Sequence, residues 1–484
     1  MKKTSIILTV LILTVFSTIS FSQISGAYSL NDPVSAAMGN VSVSNSTGTY
    51  AVHRNPANLA YMPNESFEFA TIFPLPNLAI NVGTDFMTIN EYNYYFGGVE
   101  VNGVTVPREL TPEDKENLKN LFADGGIVYS SANIDLMNFV FKPSDEIGTF
   151  GFSVSYSFAE TATFPQGLVE LTLDGNVVGR AYDFNDLDFK GSLFRDYTFS
   201  YSRDFSDLLP KNDIVSKLAA GVSVSYVQGL AMARTEEVKT NIVTNADNTI
   251  DIEGHFVGYA AVSPDFNIHF DFDSLGQHDS GFHFSPFPTP AGSGFGFDFG
   301  LNAELIDAVN IGFAINNIGS ITWNNYVARY ESNTALVIKD ITDQDELDSL
   351  SNSISLSGEF VDSYVTDLPT VMRLGASVQV DKLVNEIPGT LLVAADVIKG
   401  FNDEASNSSD FGFGLGVEWR PLNWLPIMTG LAFGNGRPSM GWSLGTGVDV
   451  GPFSFTIAAH NFGSVISGND AKTINYVMGS RFRF

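Results

Sequence analysis

The feature that most constrains this chain is a strict two-residue alternation repeated over many segments. Phe150, Phe152, Val154, Tyr156 and Phe158 fall on one face of an extended segment, with Gly151, Ser153, Ser155 and Ser157 on the other. Phe295, Phe297, Phe299 and Leu301 alternate with Gly296, Asp298 and Gly300. Phe411, Phe413, Leu415, Val417 and Trp419 alternate with Gly412, Gly414, Gly416 and Glu418. A period of two is the period of a β-strand. Large apolar side chains opposite Gly, Ser and a few acids match a wall with lipid outside and a polar or tightly filled lumen inside. A soluble sandwich would carry Lys, Glu and Thr on its outward face instead. The expected fold is all-β, a transmembrane antiparallel β-barrel with long extracellular loops.

Counting back from Phe484, the pattern predicts strands near 473–484, 453–462, 441–450, 427–434, 411–419, 390–399, 370–380, 309–318, 294–302, 218–230, 193–205, 149–160 and 133–142, with one more within 66–86. That makes about 14 strands. The connections alternate between short turns, such as Gly451-Pro452, and very long stretches at 87–132, 161–192, 231–293 and 319–369. Short periplasmic turns, long external loops and an even strand number are the habit of bacterial barrels. On this reading Tyr476, Phe482 and Phe484 keep the lipid-facing phase of the last strand, and the terminal aromatic resembles the signal read by the barrel-insertion machinery.

The N-terminus points to export in a Gram-negative cell. Lys2 and Lys3 precede an uncharged apolar run from Ile6 to Phe16, and Ser20-Phe21-Ser22 supplies small residues before a cut at Gln23. This predicts a signal peptide over 1–22, too short for a spanning helix. Nowhere afterwards do about 18 uninterrupted apolar residues occur, which excludes a helical membrane protein. Residues 23–65 are rich in small and polar side chains. A fourteen-stranded lumen is too wide for wall side chains alone to fill, so this segment is expected to fold inward as a plug, with 66–484 as the outer-membrane barrel. The chain has no cysteine, so disulfides and thiolate metal sites are ruled out. Its net charge of −29 argues against nucleic acid as a partner.

Within the loops, Thr111 can cap a helix that starts at Pro112 and carries Leu118, Leu121 and Phe122 as an apolar stripe, ended by Gly125-Gly126. Asp271, Asp273 and Asp279, among several histidines, are weak candidates for a metal site; a solvated strand pair in an outer loop is the preferred reading. Asp340 to Asp348 forms a similar acidic run. Phe282, Phe284 and Phe287, stiffened by Pro286, Pro288 and Pro290, form an aromatic patch that suits a hydrophobic ligand, a partner or neighbouring loops.

Two regions carry a family resemblance. Ala37-Met38-Gly39-Asn40-Val41 followed by His53-Arg54-Asn55-Pro56-Ala57-Asn58-Leu59-Ala60 resembles the N-terminal segment of FadL-like outer-membrane barrels, the long-chain fatty-acid transporters and the related type IX secretion barrel subunit. The stretch from Leu368 to Phe484 is similar to the same group. The resemblance implies a fourteen-stranded barrel, an N-terminal hatch ending near Asn55, Pro56 and Ala57, and sideways passage of hydrophobic molecules. Read from the residues alone, the triplet is a stiff turn.

No Gly-x-Ser-x-Gly elbow and no His-Glu-x-x-His occurs. His460 or His255 beside a serine is the nearest approach to catalytic machinery, and no enzyme or cofactor is expected. The sequence therefore supports passive uptake of small hydrophobic molecules through the barrel, with outer-membrane lipid as its surroundings. The alternative is a scaffold or secretion-associated barrel that binds an exported protein at the cell surface.

Overall fold

A computed structural model describes residues 32–484 apart from 63–65, 209–213, 271, 273–276, 280–282, 284, 340–356, 385, 406 and 435–439. The expected signal peptide lies outside the described residues. So do Asp271, Asp273, Phe282, Phe284 and the acidic run at 340–348.

Fourteen wall strands follow one another round a closed antiparallel barrel. The first, β1, comes in two segments, Phe67–Thr71 and Asn77–Thr84. Then follow β2 (Gly126–Ser144), β3 (Gly148–Phe164), β4 (Asp188–Asp204), β5 (Val215–Thr244), β6 (Gly292–Leu305) and β7 (Val309–Trp323). The second half is β8 (Val371–Gln379), β9 (Thr390–Gly400), β10 (Phe411–Leu422), β11 (Leu425–Gly434), β12 (Gly441–Val450), β13 (Phe453–Ala459) and β14 (Thr473–Arg483). Each strand pairs with its sequence neighbour, and β14 pairs with β1, Phe69 opposite Phe482 and Leu78 opposite Met478, which closes the ring. Closure leaves no unpaired edge inside a membrane.

Alternation decides which face is which. Phe295, Phe297, Phe413, Leu415, Trp442 and Tyr476 are exposed on the outside of the wall. Ser153, Ser200, Asp298, Asn302, Arg373, Ser377, Asp396 and Asn475 are buried on the inside. A soluble protein would reverse this; a lipid-bathed wall requires it. Among the described residues no helix is long and apolar enough to cross a membrane, which says nothing against strands.

The wall strands agree with the alternation in number and place, but the stretches 231–293 and 319–369 add strands beyond the rim. β5 runs for 30 residues, well past the rim. Beyond the rim it pairs with Ile250–Val262, which pairs with Val327–Ile338, which pairs with Ser357–Val361. The sequence hides this extension because its strands, such as Thr235-Glu236-Glu237-Val238-Lys239, are wetted on both faces and lose the apolar half of the pattern. The helix expected after Thr111 spans Pro112–Leu121, and the Thr111 hydroxyl accepts from the Asp114 amide. Asp114 returns the bond to Thr111, a reciprocal cap on two exposed backbone donors. The helix packs beyond its own loop: Leu118 and Phe122 meet Met87, Phe164, Val169 and Leu173.

Candidate functional site

Residues 32–62 lie inside the barrel and are almost wholly buried. Ala36, Met38, Val41, Val52 and Leu59 pack on apolar wall residues such as Ala394, Met428, Val477 and Val140, and polar groups on the inner wall hold the segment in register. Asp396 on β9 accepts from the amides of Ser42 and Val43 at 2.7 and 2.9 Å. Glu68 on β1 accepts from the amide and hydroxyl of Thr49, and Arg481 on β14 donates to the Thr47 carbonyl at 3.0 Å and stacks over Tyr50. His460 meets the Ala36 carbonyl at 3.0 Å, and His53 lies 2.8 Å from the Ser153 hydroxyl. Buried polar groups need such partners, and here each one fixes the inner segment to a different strand.

Asn55, Pro56 and Ala57 sit at the centre of this seat. The Asn55 side chain accepts from the Ala57 amide and donates to the carbonyls of Val43 and Leu301 on β6. Pro56 opens a short 3₁₀ turn, Pro56–Tyr61. The turn expected from the triplet is therefore also a contact with the wall. The inward glycines of the alternation have a specific role. A Cβ at Gly300 would fall 2.0 Å from Asn55 Oδ1, and one at Gly430 would fall 2.2 Å from the Met38 carbonyl carbon. The Asn55 side chain and the Met38 backbone come that close to the wall, and only glycine leaves room.

The wall is broken beside this segment. Between Phe69–Phe482 and Leu78–Met478 the β1 chain spends five more residues than β14 does. The excess, Ile72-Phe73-Pro74-Leu75-Pro76, is pushed out of the barrel with Phe73 80% exposed. Two prolines remove ladder donors, which suits an extrusion and not a regular strand. The freed groups are met by side chains. The Ser480 amide donates to Asn77 Oδ1 at 2.8 Å, and the Ser480 hydroxyl donates to the Leu75 carbonyl. Ser480, lipid-facing by phase, is thereby covered. Behind the break, Tyr50 and Pro33 of the inner segment stand close to Gly479.

At the long-loop rim lies a cavity of about 1010 Å³. Asp124, Glu170, Asp183, Asp186, Asp188, Glu236 and Glu237 line it, against Lys190 and Arg234. Lys239, hydrogen-bonded to Glu237, holds that carboxyl below its usual range. The vestibule is acidic. An apolar layer adjoins it: Phe194, Val227, Met232, Ile321, Trp323 and Leu368 pack together on one arc of the wall, from β4 to the start of β8, with the Trp323 indole donating to Thr366.

Of the aromatic patch, Phe287 is described. It is exposed on the outer flank, with the Arg195 guanidinium 5.5 Å from its ring and the Tyr156 hydroxyl donating to the Pro286 carbonyl. It thus stands beside the lipid-facing rings and not over the mouth. Asp279 lies in a short strand, Gln277–Asp279, paired with Ile268–Phe270. No group of three or more metal-binding side chains is found among the described residues. His255 sits in the extension sheet against Asn333 and Glu237. Tyr476 and Phe484 are exposed, and Phe484 stacks on Phe69 across the closing seam. The polar anchors Glu68, Arg481 and Asp396 escaped the sequence reading, because a buried charge in a strand looks like any lumen residue until its partner is known.

A closed fourteen-stranded barrel, apolar outside, polar inside and occupied by its own N-terminal segment, is a membrane-spanning β-barrel protein. The chain belongs to a family of unknown function, DUF5723, whose model matches residues 60–460. No curated protein matches it. Similar solved structures include the Ralstonia pickettii toluene transporter TbuX, 14% identical, with 93% of this chain and 98% of that one covered and a TM-score of 0.44. The Pseudomonas putida toluene transporter TodX is 12% identical, covered over 96% and 100%, with a TM-score of 0.46. A Pseudomonas aeruginosa FadL homologue is 12% identical, covered over 96% and 100%, with a TM-score of 0.42. The group that the N-terminal pattern resembles is represented among them.

Proposed function

We propose that this protein is an outer-membrane barrel that takes up small hydrophobic molecules without chemical change, with residues 32–62 as its plug. The observation that carries the reading is the break at 72–76. A wall strand that gives up its ladder over 72–76, next to the plug, trades regular backbone bonds for a few side-chain bonds such as those of Asn77 and Ser480, a cost in lipid, where no water can help. Such a cost suits a side exit, through which an apolar molecule leaves the lumen without entering water. The acidic vestibule adds selectivity at the other end: like charge disfavours anions, so the molecules accepted are neutral or cationic.

The test is to repair the wall. Residues 72–76 are deleted, so that Thr71 joins Asn77 and β1 matches β14 residue for residue, and accumulation of the apolar fluorophore N-phenylnaphthylamine is followed in cells making either form. Uptake should fall to background in the repaired barrel. Undiminished uptake with a correctly folded repaired barrel sinks the proposal.

The second reading, a scaffold for an exported protein, is favoured by one observation, the ordered sheet that extends beyond the rim. Purification under mild conditions with mass spectrometry of what accompanies the protein separates the two. A stoichiometric protein without lipid-like ligand supports the scaffold.

A further inference from the structure

The β9–β10 connection does not stay over its own strands. It crosses the mouth to β4 and β5, whose nearer member lies four strands away round the wall. Its root is fixed to its own side. The Asn402 amide donates to the Leu368 carbonyl at 2.8 Å, and the Asn407 amide donates to the Thr370 carbonyl at 3.0 Å. Its tip is fixed to the far side by charge. Arg234 Nη1 on β5 donates to both oxygens of Glu404 at 3.0 and 3.1 Å, and Lys190 Nζ on β4 donates to the Asp403 carbonyl at 3.1 Å.

This clasp stands at the boundary between two spaces. Lys190 and Arg234 line the acidic vestibule above. Both also line a void of about 10 Å³ below, with Ser192, Phe194, Met232, Glu404 and Ala405, no more than one water's worth of room. That void adjoins the apolar layer around Trp323. The strap therefore closes the one face of the layer that the vestibule would otherwise wet. The two attachments differ in kind. The root bonds run from amide side chains to backbone carbonyls beside the wall. The tip bond joins two side chains, and each is exposed to about a fifth or less. A charge pair at such a site is sensitive to ions and ligands that enter the vestibule.

We propose that Phe401–Ala405 is a lid over the lumen, latched by Arg234 and Glu404, and that unlatching it joins the vestibule to the apolar layer. The inference goes beyond the uptake reading and does not depend on it, because it concerns access to the lumen whatever passes.

The chain contains no cysteine, so one introduced thiol is the only reporter. Ser192→Cys places it under the lid, and a charged, membrane-impermeant maleimide reads its accessibility in the purified full-length barrel. With the latch intact, labelling should be slow. Glu404→Gln should speed it about ten-fold or more, in line with a charge-assisted pair. Lys190→Met, which removes only the second tether, should give a smaller increase. The reversed pair Arg234→Glu with Glu404→Arg should restore protection. Equal rates with latched and unlatched forms, or rapid labelling with the latch intact, overturn the proposal. Circular dichroism of strand content confirms that each variant is folded. If Glu404→Gln does not fold, the Lys190→Met and reversed-pair rates decide the matter in the same way.

Discussion

At the scale of single residues, the inner segment is held by side chains that each do more than one job. Asn55 fixes its own turn and grips β6. Asn55→Ala keeps the space but leaves the Ala57 amide without its acceptor and takes a donor from the Leu301 carbonyl, while the Val43 carbonyl keeps Asn58 at 3.2 Å. The expected loss is roughly 1–3 kcal/mol for each buried group left unsatisfied, read as a lower unfolding midpoint in denaturant. Phe484 offers a second case. Its backbone bonds to Phe67 on both sides, and its ring stacks on Phe69 at 6.0 Å, so it closes the β1–β14 seam. Phe484→Glu puts a charge where the seam meets lipid, and the heat-modifiable folded band should be lost or strongly reduced on gels. Normal assembly of that variant would remove Phe484 from the closing of the barrel.

At the scale of elements, β1 differs from every other wall strand. Its two segments are regular, and the extrusion between them is specified locally by Pro74 and Pro76. Prolines in a strand announce a lost ladder bond, so the interruption was legible in the sequence. Its consequence was not, since that depends on Ser480, Asn77 and Tyr50 meeting from three distant places. β5 shows the converse. Its apolar alternation ends near Leu230, yet hydrogen bonding carries the strand on to Thr244, because Ile250–Val262 folds back and supplies a partner. The strap between β9 and β10 belongs here as well. Its sequence, Phe-Asn-Asp-Glu-Ala, reads as an ordinary polar turn, and nothing in it names the arginine across the mouth.

At the scale of the whole molecule, the inner segment 32–62, the apolar cluster around Trp323 and the proposed lid all stand in the way of a free path through the lumen. Together they predict a barrel that conducts poorly. In planar bilayers the intact protein should show no steady current. Glu68→Ala should produce stepwise openings, because it removes the acceptor for Thr49 and the partner of Arg481, 3.4 Å away, and so loosens the plug on the β1 side. A silent Glu68→Ala barrel would mean that the plug is held elsewhere, on the Asp396 and Asn55 sides. The excess of acid acts only near the rim, since its field is screened over about 8–10 Å in physiological salt.

By itself the sequence determined the wall. Strand count, the choice of faces and the alternation of short and long connections all follow from local periodicity, because in lipid each strand must turn its apolar half outward whatever the rest of the chain does. The turn at Asn55-Pro56-Ala57 and the capped helix at Thr111 were equally local, and equally readable. Only the tertiary structure decided what stands inside. Asp396 with Ser42, Glu68 with Thr49, and Arg234 with Glu404 join residues that are tens to hundreds of positions apart, and a lone charge in a strand carries no record of its partner. The glycines show the division most plainly. Their place on the inner face was set by the period of two, and the reason for them, a backbone passing within touching distance, was set by the fold.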